Sequence, residues 1–109
     1  MILSKENNTL VLLLDEENIK NPKAFCSDYT EEAQELDVVF DALQLPNLNA
    51  HNDALTFVLA AFQNDEYSCV TVALPKQYTD LPETWVVVPT LEEANDFIEL
   101  ERIQRDLGF

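Results

Sequence analysis

The chain of 109 residues contains a single glycine, Gly108. Glycine supplies the positive φ angles and the close backbone approach that many ligand-binding loops require. Its absence from the interior excludes glycine-rich phosphate loops, dinucleotide fingerprints, nucleophile elbows and EF-hand loops. Turns have to be built from other residues. The pair Asn7-Asn8 is placed to close a hairpin between "MIL" and an apolar run at 9–14.

The remaining pattern implies one domain, residues 1–109, with an apolar share of 47% that supports a core. "TLVLLL" reads as a strand, followed by a polar turn at Asp15-Glu16-Glu17. In 30–45, Ala33, Leu36, Val39, Phe40 and Leu43 recur at helical spacing, with Thr30 as N-cap and Pro46 as terminator. The segment 50–63 is apolar on most of a helical circumference and predicts a central buried helix. "YSCVTVALP" and "TWVVVP" predict two strands, joined by a long connection containing Pro75 and Pro82. A capping box, Thr90-x-x-Glu93, opens a last helix that stops at Gly108. The order β-α-α-β-β-α predicts an α+β fold, about three helices packed on a small, mostly antiparallel sheet.

Charge is the strongest functional signal. The 21 acids and 6 bases give a formal net charge of −15, and the bases are unevenly placed. Between Ala24 and Pro75 there is no Lys or Arg, against nine acids: Asp28, Glu31, Glu32, Glu35, Asp37, Asp41, Asp53, Asp65 and Glu66. In the helix expected at 30–45, Glu31/Glu35 and Asp37/Asp41 are like-charged pairs four residues apart, each costing about 0.2–0.5 kcal/mol. In the last helix, Glu101/Arg105 and Glu99/Arg102 have the opposite-sign spacing of an ordinary solvated surface. A field of this sign repels nucleic acid and anionic lipid, and it steers cationic partners. Carboxylates four apart on a helix recur about every 6 Å, a spacing comparable with phosphates along a DNA strand.

In size and charge the chain resembles the small acidic DNA-mimic proteins of bacteria. The resemblance implies a non-enzymatic protein that occupies the DNA-binding surface of a nucleoid protein, repressor or nuclease and competes with DNA; a histone-like nucleoid protein is the favoured class, because its DNA contact is largely electrostatic. The residues expected to carry binding are Asp28, Glu31, Glu32, Glu35, Asp37, Asp41, Asp65 and Glu66. One alternative is an immunity or antitoxin-like inhibitor of a basic toxin or nuclease. A second is an acidic surface that serves solubility alone.

Other chemistry is weakly signalled. Cys26 and Cys69 form no metal-type pair, and Cys69 sits in an apolar run that favours a reduced, buried thiol. The sole histidine, His51, opens an apolar helix without a recognisable nucleophile partner. No catalytic residue, cofactor or metal site is assigned. Tyr29, Tyr67, Tyr78 and Trp85 lie near element ends, with Tyr78 the best candidate for an exposed interface aromatic. No signal peptide or membrane-length apolar run is visible, so a cytoplasmic monomer is expected, with no direct nucleic-acid or membrane contact.

Overall fold

Three short runs, Leu10-Val11-Leu12, Val38-Val39-Phe40 and Val70-Thr71-Val72, are buried at every residue. Strands buried on both faces read as continuous apolar runs rather than alternating ones, and this is the pattern of a parallel sheet covered by helices. The computed structural model, which describes residues 2–63, 66–79 and 85–108, has that architecture. Five strands, β1 (Ile2–Glu6), β2 (Thr9–Leu13), β3 (Asp37–Asp41), β4 (Cys69–Val72) and β5 (Val87–Val88), lie side by side in chain order. Four helices accompany them: α1 (Glu16–Lys20), α2 (Pro22–Tyr29), α3 (Asn52–Phe62) and α4 (Leu91–Asp106).

The α+β class therefore holds, with helices on a small sheet, but strand direction differs from the expectation. Only β1 and β2 are antiparallel; β2–β3, β3–β4 and β4–β5 are parallel. Helical connections produce this: α1 and α2 join β2 to β3, and α3 joins β3 to β4, as parallel neighbours require. The hairpin at the start is formed as expected. Asn7 and Asn8 have φ of 54° and 60°, the left-handed pair of a two-residue turn that asparagine tolerates.

The larger difference is at 30–45, which does not form the expected helix. Thr30 closes α2 instead of opening a helix, its N–H donating to the Cys26 carbonyl at 2.9 Å. Residues 31–36 run through turns, with Glu35 at φ +64°. Residues 37–41 are then a central strand, paired in register with β2 and β4. A helix packed by the expected stripe would have left Val38 outside and Leu43 inside; Val38 is 2% exposed and Leu43 43%. Two β-branched residues and a phenylalanine gain more from sheet neighbours on both sides than from a half-buried helix.

Two further helices, α1 and α2, lie where the residue pattern predicts a turn and no helix. Asp15 begins α1 rather than a solvated turn, its Oδ1 accepting from the Asn18 N–H at 2.9 Å. Asn21 caps α2 through the Ala24 N–H at 3.2 Å, with Pro22 in the first turn.

The sheet separates two cores. On one face Leu10, Leu12, Val38 and Phe40 meet Phe25, Leu55, Val58 and Phe62 from α2 and α3. Phe40 and Phe62 pack edge-to-face with centroids 5.2 Å apart. On the other face Val11, Val39, Val70 and Val72 meet Ala94 and Ile98 of α4. Thr90 caps α4 as expected, its Oγ1 accepting from the Glu93 N–H at 3.1 Å.

Candidate partner-binding site

The N-terminal ends of β2, β3 and β4 carry a charged network centred on Asp37. This carboxylate is 2% exposed, so its charge needs partners close by. Oδ2 accepts from Arg102 Nε at 2.7 Å, and Oδ1 accepts from the Ser68 N–H at 2.6 Å and Arg105 Nη2 at 3.3 Å. Arg102 Nη2 also donates to the Asn7 carbonyl, the Asn8 carbonyl and Thr9 Oγ1, at 2.9, 3.2 and 2.9 Å. Ser68 Oγ donates to Glu101 Oε1 at 2.5 Å and accepts from Arg105 Nη1 at 3.0 Å. One helix thus ties down the hairpin turn and the starts of three strands.

This arrangement corrects the sequence reading of α4. Arg102 and Arg105 turn inward to Asp37, and Glu101 turns inward to Ser68; they are not a solvated i,i+4 lattice. The signal was present in their phase, since Ala94, Ile98, Glu101 and Arg105 share the sheet-facing side. Asp37 is correspondingly removed from the expected binding surface. Asp41, at the opposite end of β3, lies about 13 Å away by strand rise. Its Oδ1 accepts from the Leu43 N–H at 3.2 Å. Asp65 lies outside the described residues.

The other expected acids come together, Asp28 from the last turn of α2 and Glu31, Glu32, Glu35 and Glu66 from turns, rather than along one helix. Glu35, Glu66, Tyr67 and Asp106 border an open depression over Asp37 and its two arginines. Glu35 and Asn8 also border a second depression, with Lys5, Asp28, Glu31 and Glu32 around it. Asp28, Glu31, Glu32, Glu35, Glu66 and Asp106 are all exposed at this end. The basic residue among them is Lys5, which pairs with Glu32 at 2.9 Å. Both side chains of that pair are about half exposed, so the bridge contributes little to stability. Lys5, Arg102 and Arg105 reach this end from outside the base-free window, so the local imbalance is smaller in space than in sequence.

Tyr78 is less available than expected, whereas Trp85, which opens an apolar run, packs against the core as such a position implies. Tyr29, Tyr78 and Trp85 are partly buried and pack against the core, the Tyr29 ring tilted against Phe25 with centroids 5.2 Å apart. Tyr67, beside the acidic rim, is half-buried. Both cysteines are free. Burial pushes the Cys26 thiol up and the Cys69 thiol up to about 12, so neither is an activated nucleophile. His51 ends a 3-10 turn at Asn49–His51 and precedes α3. Among the described residues, no group of three or more His, Cys, Asp or Glu is placed to hold a metal ion, and no helix is long and apolar enough to cross a membrane.

No known protein family matches the chain, nor does any characterised protein or solved structure.

Proposed function

We propose that this protein is a non-enzymatic binding protein whose acidic end, built by Asp28, Glu31, Glu32, Glu35 and Glu66, occupies the basic DNA-contacting face of a nucleic-acid-binding protein and competes with DNA. A histone-like nucleoid protein is the favoured partner class, because its DNA contact is largely electrostatic. The protein acts as a cytoplasmic monomer and needs no cofactor. One observation carries the reading: exposed carboxylates converge at one end of the sheet, while both arginines there bond inward to buried Asp37. Charge steers the encounter, and Lys or Arg of the partner exchanges phosphate for carboxylate.

The test is displacement of a labelled DNA duplex from a purified histone-like protein at physiological salt. Wild type is expected to release the duplex. Asp28→Lys, Glu31→Lys and Glu35→Lys together should keep the fold and lose release. Retention of the duplex at every concentration of wild type would sink the reading. Asp37 is unsuitable for such reversal, since a buried lysine beside two arginines would report unfolding.

The turn geometry favours a second reading. Acids spread over irregular turns lack the regular spacing of phosphates, which suits an inhibitor of one basic toxin or nuclease equally well. Such a partner would stay bound when excess duplex is added.

A further inference from the structure

α4 is apolar on two sides, and only one of them meets the sheet. Ala94 and Ile98 are buried against Val39, Val70 and Val72. On the opposite side Leu100, Ile103 and Leu107 are 54%, 55% and 66% exposed. Their spacing of three and four residues sets them in one line over two turns, within about 60° of one another around the helix. Scattered exposed leucines are ordinary, but a line at helix-pairing spacing is a docking feature.

The charges beside this line identify its occupant. Asp96 continues it by one turn, with Glu93 on one flank and Glu99 on the other, all exposed. The two bases of α4 are both drawn inward to Asp37, so the outer side offers no cation. A second copy of the chain would set carboxylates against carboxylates, and an anionic membrane surface would be repelled in the same way. We infer that the outer face of α4 docks a basic amphipathic helix from a partner protein. Apolar side chains of that helix cover Leu100, Ile103 and Leu107, while its Lys or Arg residues pair with Glu93, Asp96 and Glu99. This surface adjoins the acidic end at Asp106 but is made by different residues, and it requires apolar burial as well as charge.

A helical peptide with leucine in heptad positions and lysine elsewhere is a direct probe, titrated into the isotope-labelled full chain and followed by amide shifts. Shifts are expected along α4 from 96 to 107. Leu100→Ser, Ile103→Ser and Leu107→Ser together should weaken binding by about tenfold or more, the loss expected from uncovering one large apolar side chain. Glu93→Lys with Glu99→Lys, which touches no apolar contact, should also weaken it. Asp28→Lys, Glu31→Lys and Glu35→Lys should leave the shifts along α4 in place, which separates this inference from the proposed function. Equal binding by the triple serine variant would overturn it, as would shifts confined to 28–35. Sedimentation of the wild type as a dimer that the serine variant does not form would assign the stripe to self-association instead.

Discussion

The two ends of the sheet solve one problem in different chemistry. At the N-terminal end, Asp37 gathers Arg102, Arg105 and the Ser68 N–H. At the C-terminal end, buried Gln77 does comparable work without charge. Its Nε2 donates to the carbonyls of Ala42 at 2.9 Å, Leu43 at 3.2 Å and Leu45, and its Oε1 accepts from the Leu74 N–H at 2.6 Å. A neutral amide satisfies the loop carbonyls there and leaves surface charge untouched. The ionic end draws both arginines of the chain inward, and Lys5 pairs with Glu32 among the carboxylates exposed around it. The acidity of that surface is thus partly a by-product of how the buried carboxylate is held.

The contrast breaks most clearly when the arginines are removed. Arg102→Met with Arg105→Met leaves Asp37 buried and unpaired, and should cost about 3–5 kcal/mol in urea unfolding. Adding Asp37→Leu should restore most of that loss, because an apolar trio needs no desolvated charge. If the double variant unfolds at the wild-type urea concentration, the network is not what anchors α4.

A smaller loss is expected at the other end. Gln77→Leu removes the amide donor from the Leu43 and Leu45 carbonyls and the amide acceptor from the Leu74 N–H, at about 2–3 kcal/mol, while the Ala42 carbonyl keeps the Leu45 N–H at 3.1 Å. A change in salt should leave that loss unaltered, since no ion pair is involved. A salt-dependent loss would show that the two ends are coupled.

The smallest effect concerns Cys69, which adjoins Ser68 and is half-buried. Its thiol is pushed from 9.0 to about 12 by burial. The unfolded thiol therefore ionises first: stability is unaffected below about pH 9 and declines as pH rises from 9 towards 12. Cys69→Ala should flatten the decline, measured as the urea midpoint of each variant between pH 8 and about 10. Identical slopes would mean that the thiol reaches solvent in the folded state.

Legibility followed the range of the interaction that decides each element. Local chemistry was sufficient for the Asn7-Asn8 hairpin, the existence of α3 and the Thr90 cap of α4. The central burial expected of α3 is not found: Leu55, Val58 and Phe62 face the core, while Phe57 on another side is 43% exposed, because the sheet covers one face of the helix only. The acids Asp28, Glu31, Glu32, Glu35 and Glu66 were visible as a base-free window, and they do share one end of the molecule. Their support was mistaken, because 37–41 satisfies a helical stripe and a strand equally well within a short window.

Composition and order alone determined the net charge of −15, the lack of glycine loops and the helices with strong local signals. Only the tertiary structure decided that Val38, Val39 and Phe40 form a strand, that the sheet runs parallel, and that Asp37 is buried. The partners that decide Asp37 are 65 and 68 residues further along the chain. A carboxylate's sequence neighbours specify its charge; whether it faces solvent depends on which distant side chains can repay its desolvation.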